Sequence, residues 1–139
     1  MSKIDRENII EKIEACEMIY FSGGNSFYLL QELKRLNLIT IIQENVQKGM
    51  IYIGESVGAI ITTNNIEYSQ KMDDKEKAKT LSDYEGLSLI DFYIVPHFKE
   101  IPFIESADAI INDYSEKLNI VTLNNSEAII VLGDRVEKK

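Results

Sequence analysis

Apolar residues recur along this chain at two spacings. Ile9, Ile10, Ile13 and Cys16 fall at helical intervals over residues 5–16, with Asp5 as a candidate N-cap. Met18-Ile19-Tyr20-Phe21 is a short unbroken apolar run that stops at Ser22-Gly23-Gly24-Asn25, which predicts a buried strand and then a tight loop. Helical spacing returns from Ser26 to Leu36 through Phe27, Leu30 and Leu33. A second helix is predicted from Leu38 to Lys48, closed by Gly49 at its C′ position. Met50-Ile51-Tyr52-Ile53 predicts another buried strand, running into Gly54-Glu55-Ser56-Val57-Gly58, and Ala59 to Thr63 continues as an apolar helix.

The pattern breaks from Tyr68 to Glu85. The charged run from Gln70 to Lys77 has no apolar period and reads as a surface excursion with at most a helical turn. A strand from Asp91 to Val95 then leads into Pro96-His97-Phe98. A helix is predicted over 103–118, with Phe103, Ala107, Ile110, Ile111 and Tyr114 on one face. Strands follow at 119–123 and 127–132, then a turn at Gly133-Asp134 and a last short strand at 135–137.

Strands alternating with helices imply βαβ units, and hence an α/β fold with a parallel sheet covered by helices on both faces. The final strands read as an antiparallel or edge addition. With no repeat and no flexible linker, residues 1–139 are expected to form a single domain. Ligands of open α/β sheets bind beyond the carboxyl ends of the strands. Three segments are predicted there: Ser22 to Asn25, Gly54 to Gly58, and Pro96-His97.

Composition narrows the chemistry. The chain has 139 residues and a net charge of −8, which argues against a nucleic-acid partner because phosphate binding needs clustered Lys and Arg. The lone Cys16 rules out a disulfide framework or a cysteine zinc site, and its apolar stripe predicts a buried thiol. No run approaches the ~20 apolar residues needed to span a bilayer, and the N-terminus has no apolar signal region. A cytoplasmic location is therefore expected. A single histidine, His97, leaves one candidate for any imidazole chemistry.

Gly54-Glu55-Ser56-Val57-Gly58 matches the Gly-x-Ser-x-Gly elbow, in which a serine sits on a strained strand-to-helix turn between residues small enough for close packing. The Val57 N–H, at the start of the following helix, is placed to face an oxyanion. A serine hydroxyl needs a base, which His97 can supply, and a histidine base needs an acceptor on its other ring nitrogen. Asp73, Asp74, Glu67, Asp91 and Glu55 are all candidates. Gly23 and Gly24 let the backbone of Ser22 to Asn25 approach a ligand and could complete the oxyanion hole.

These segments together resemble the peptidase E family of serine dipeptidases, which is similar to cyanophycinase. Ser22-Gly23-Gly24-Asn25-Ser26-Phe27 resembles its Gly-Gly-Asn-Thr-Phe segment. Gly54-Glu55-Ser56-Val57-Gly58-Ala59 resembles its elbow, and Gly86-Leu87, Asp91 and Pro96-His97-Phe98 follow in the same order. The resemblance implies a class I glutamine amidotransferase-like (flavodoxin-like) fold lacking an N-terminal portion, because family members carry a further strand-helix-strand unit ahead of the Gly-Gly-Asn segment. An uncovered sheet edge or face would then favour homo-oligomers. The resemblance also implies a serine-type peptidase acting on short peptides, Asp-Xaa dipeptides among them, with no metal and no cofactor. Ser56 becomes the nucleophile, His97 the base and Asp74, ahead of Asp73, its acid. Gly23, Gly24, Asn25 and Val57 form the oxyanion and substrate-binding set. Val57 replaces the family's alanine. Lys99 is the only base in a segment where the family often has arginine. The alternatives are an inactive or weakened truncated homologue acting as an interaction protein, and an ordinary esterase.

Overall fold

The computed structural model describes residues 3–139, with side chains from Arg6 onward. Helix α1 spans Lys3–Ala15 and so begins ahead of Asp5, whose side chain lies outside the described residues. Strand β1 (Met18–Phe21), helices α2 (Ser26–Arg35) and α3 (Ile39–Gln47) and strand β2 (Ile51–Gly54) form the first crossover unit. β1 and β2 pair in parallel, with Met18 opposite Ile51 and Phe21 opposite Gly54. Asn25 caps α2 through a 3.0 Å bond in which its side-chain oxygen accepts the Tyr28 N–H. Phe27, Leu30 and Leu33 then turn inward at helical spacing and are buried. Gly49, at φ +112°, ends α3 as its position after the last helical turn requires.

Helix α4 (Val57–Ile60) is a single turn that begins two residues ahead of the expected Ala59 and ends before Thr63. The charged excursion contains two 3-10 turns, Glu67–Lys71 and Lys75–Lys77. Strand β3 (Tyr93–Val95), helix α5 (Ile104–Tyr114) and strand β4 (Ile120–Thr122) form the second crossover, again parallel. Strands β5 (Ile129–Leu132) and β6 (Arg135–Lys138) close the chain as an antiparallel hairpin around Gly133.

One α/β layer pattern is present, but the expected continuous sheet is not: the described strands form three two-stranded sheets. Tyr93 and Val95 direct their backbone groups to β4, so Ile94 faces the other way. The Tyr68 hydroxyl donates to the Ile94 carbonyl, which occupies the side of β3 where a further strand would pair. An apolar groove of about 570 Å³ separates the two parallel pairs, with Ile51, Tyr52 and Gly54 on one side and Ile90, Phe92 and Ile94 on the other.

The main core gathers Phe27, Leu30, Ile42, Ile60, Ile61, Ile66, Tyr68, Leu87, Val95 and Ile110 beneath the helices. Met18, Tyr20, Ile51 and Ile53, on one face of β1–β2, stay 41–55% exposed, although a parallel pair usually has both faces covered. Cys16 is exposed rather than buried, its Sγ donating to the Ile13 carbonyl at 3.2 Å. No helix of the described residues is long and apolar enough to cross a membrane.

Candidate active site

The carboxyl ends of β1, β2, β3 and β4 lead respectively to Ser22, Glu55, Pro96 and Leu123. The elbow forms where β2 meets α4. Glu55 N–H donates to the Phe21 carbonyl at 2.9 Å, tying the turn to the end of β1. Ser56 adopts φ 54° and ψ −111°, a conformation costly for any residue with a Cβ. Three contacts hold it there. Gly58 and Ala59 N–H groups fold back onto the Glu55 and Ser56 carbonyls at 2.9 and 3.0 Å, and the half-buried Tyr52 hydroxyl donates to the Gly58 carbonyl at 2.6 Å. Burial raises the ionisation of Tyr52 well above its ordinary range, so it remains a donor.

The two glycines are required by space. A Cβ on Gly58 would overlap the Phe21 carbonyl and approach Phe21 Cβ to 2.8 Å; one on Gly54 would strike the Gly58 carbonyl and lie 2.8 Å from Ala59 N. Gly23, by contrast, has open space around it. Gly58→Ala is therefore expected to destabilise the protein by about 1–3 kcal/mol and to displace Ser56, while Gly23→Ala leaves stability nearly unchanged. Thermal unfolding of the two variants checks this. Equal midpoints would mean that the close approach of α4 to β1 is dispensable.

His97 follows β3 at φ 57°. Its Nε2 lies 2.9 Å from Ser56 Oγ and its Nδ1 lies 2.8 Å from Asn125 Oδ1. With the amide oxygen as acceptor, Nδ1 carries the proton, and Nε2 is left to accept from the serine hydroxyl. The Phe103 ring stacks on the imidazole, with centroids 4.6 Å apart. Asn125 sits in the loop after β4. Its N–H donates to Glu100 Oε1 at 3.3 Å, and the neighbouring Asn124 N–H donates to Glu127 Oε2 at 2.9 Å. That backbone bond, helped by Lys138, holds the Glu127 carboxyl below its usual range.

The structure thus joins Ser56 and His97 and does not bring Asp74 to them. Asp74 Oδ1 accepts the Glu76 N–H at 2.9 Å and caps the second 3-10 turn, so its carboxylate serves the excursion itself. Asp73 Oδ2 accepts both the Ser26 N–H at 2.9 Å and the Ser26 hydroxyl at 2.6 Å, clamping the excursion to the start of α2. Glu55 accepts from the Tyr20 hydroxyl. Asp91 precedes β3 and so belongs to the opposite end of that strand from His97. Asn125 lies outside the acids from Glu55 to Asp91 that the sequence offers as histidine partners, being an amide 28 residues beyond His97. The position of the β4 carboxyl end was the signal that could have found it.

Gly24 takes φ +141°, a conformation suited to glycine, and Asn25 Nδ2 donates to the Asp74 carbonyl at 2.9 Å. Asn25 is thus occupied at both ends of its amide, by the α2 cap and by the excursion. Among the described residues no group of three or more His, Cys, Asp and Glu side chains could hold a metal ion.

A strained serine after a parallel strand, bonded to a histidine whose second nitrogen is held by a side-chain acceptor, defines a serine-hydrolase type of site on an α/β frame. The profile of peptidase family S51 matches residues 1–139, and the chain belongs to that family, the peptidase E family its motifs resemble. It is similar to Uncharacterized peptidase PM1590 of Pasteurella multocida, 45% identical over 131 residues that cover 94% of this chain and 63% of that protein. A solved structure from Listeria monocytogenes EGD-e superposes with a TM-score of 0.91 at 42% identity, covering 96% of this chain and 64% of that one. Probable alpha-aspartyl dipeptidase of Drosophila melanogaster is 34% identical over 98 residues, 70% of this chain and 38% of its own. The chain therefore spans less than two thirds of the length of each of these relatives.

Proposed function

We propose that this chain carries the acyl-transfer site of a serine peptidase acting on short peptides, with Asp-Xaa dipeptides as the substrate class. The observation that carries the reading is the 2.9 Å contact of Ser56 Oγ with His97 Nε2, made by a serine in a strained elbow. In this reading Ser56 Oγ attacks the peptide carbonyl carbon while His97 Nε2 takes its proton. The N–H groups of Val57 and Gly24 stabilise the oxyanion. The imidazolium returns the proton to the leaving amine, and water then hydrolyses the acyl-enzyme by the same route. Asn125 keeps His97 in the required tautomer throughout. The name of the Drosophila relative supports aspartyl dipeptides as the substrates to try first.

Lys99 is the basic residue nearest in sequence to His97, and its ammonium lies over the Phe98 ring at 5.3 Å from the centroid. A second reading, a homologue of weakened activity, is favoured by the apolar face of Met18, Tyr20, Ile51 and Ile53 that stays exposed on β1–β2. A substrate panel separates the readings. Asp-Xaa dipeptides are expected to yield free aspartate, at rates well above those for Ala-Xaa dipeptides, and Ser56→Ala should yield none. Faster turnover of small aryl esters than of any dipeptide would indicate an esterase. Cooperative unfolding with no hydrolysis at all would support the weakened homologue.

A further inference from the structure

Helical spacing placed Phe103 on the inner face of a helix, but α5 begins one residue later and Phe103 is its N-cap. The chain folds back after His97 to put it there. Glu100 N–H donates to the His97 carbonyl at 3.0 Å, and Phe103 N–H donates to the Glu100 carbonyl at 2.8 Å. These two turns lay the Phe103 ring on the imidazole, with centroids 4.6 Å apart and planes 20° from parallel. The ring is fixed from behind. Its own carbonyl accepts the Ala107 N–H at 2.9 Å and the Ser106 hydroxyl at 3.1 Å, and α5 is seated in the core by Ala107 and Ile110, both fully buried.

Core packing does not account for this placement. Phe103 is partly exposed and belongs to neither cluster of packed apolar residues among the described residues. Its stacking partner is the candidate base. His97 has hydrogen-bond partners at both ring nitrogens, and these act in the ring plane. They leave the ring free to rock about the line joining them, and the Asn125 loop at one end is exposed. A flat aromatic surface held on a helix end removes that freedom. It also bears on charge. Asn125 is neutral, so the partner at Nδ1 brings no charge to the imidazolium formed during acyl transfer, whereas the face of an aromatic ring attracts a cation.

We propose that Phe103 is the positioning residue of the His97 base: it holds the imidazole in the plane that reaches Ser56 and Asn125, and it stabilises the protonated ring. The second half of this inference rests on the peptidase reading; the first does not.

Phe103→Leu and Phe103→Met remove the aromatic face while keeping apolar bulk, and Phe103→Tyr keeps the face. Two measurements are made on each. Nitrogen NMR of the protein's single histidine reports its tautomer, and a fluorophosphonate probe reports the labelling rate of Ser56. The wild-type and Tyr proteins should show one Nδ1–H tautomer and label alike. The Leu and Met proteins should show averaged tautomers and label about tenfold more slowly, with thermal midpoints close to wild type. If Phe103→Leu does not fold, Phe103→Met carries the comparison. An unchanged tautomer and labelling rate in the Leu or Met protein overturns the proposal, as does a loss in Phe103→Tyr equal to theirs. A probe that labels neither wild type nor Ser56→Ala removes the peptidase reading, and the tautomer comparison still decides the positioning role.

Discussion

Ser56→Ala is expected to abolish both fluorophosphonate labelling and dipeptide hydrolysis, lowering kcat by roughly five to six orders of magnitude. The size of the effect follows from the geometry. Among the described residues Ser56 is the one side chain held in a strained turn within hydrogen-bond reach of the chain's single imidazole. His97→Ala should cost nearly as much, because an unassisted serine hydroxyl is a poor nucleophile. The two losses should not add: the Ser56→Ala, His97→Ala double variant is expected to be no worse than either single one, since the pair acts as a unit. Mass spectrometry of the labelled protein locates the adduct. Labelling that persists in His97→Ala would remove the imidazole from the mechanism, and an adduct elsewhere would remove Ser56.

The second large effect concerns Asn125. Its Oδ1 is 2.8 Å from His97 Nδ1, the position a carboxylate takes in a Ser-His-Asp arrangement. Asn125→Ala deletes the acceptor, releases the tautomer and is expected to lower kcat about 10³–10⁴-fold, with KM little changed. Asn125→Asp keeps an acceptor in place and adds a charge that favours the imidazolium, so its kcat should equal or exceed wild type. By contrast Asp74→Asn, which alters the cap of the second 3-10 turn, should leave kcat within a few-fold of wild type. Steady-state kinetics on the three variants checks the set. Full activity in Asn125→Ala, or its collapse in Asp74→Asn, would restore an acid from the excursion to the mechanism.

Asn125 bonds His97 and Asp74 caps a turn, a distribution of roles that residue type and spacing leave open. The family resemblance pointed to Asp74 and Asp73, and their carboxylates are engaged by the Glu76 N–H and by Ser26. Asp74 bonds backbone two residues on, as short polar side chains in turns commonly do, and that local use is hard to separate from a catalytic role on spacing alone; Asp73 reaches across 47 residues to the start of α2. The partner of His97 came instead from 28 residues downstream. It arrives there because β4 pairs in parallel with β3, which carries the two strand ends, and the loops after them, to the same edge.

The parallel pairing was itself legible, because short apolar runs alternating with amphipathic helices leave few other topologies. The division into separate pairs was not. At the open edge of β3 the Tyr68 hydroxyl, from the excursion over 68–85, bonds the Ile94 carbonyl across 26 residues of chain, a contact that apolar spacing does not encode. Likewise the 103–118 periodicity suited a helix, but two turns after His97 draw Phe103 out of that face and onto the imidazole.

The elements, the room at Gly54 and Gly58, and the meeting of Ser56 with His97 are thus legible in the chain's local pattern. Each depends on local spacing: apolar period, missing Cβ atoms, and strand ends that a parallel sheet must place together. That Asn125 bonds His97, that Asp74 caps a turn while Asp73 holds the start of α2, and that Phe103 covers the imidazole are visible only in the folded chain. Those outcomes turn on which of several chemically able groups packing delivers to one point, and local pattern does not encode that choice.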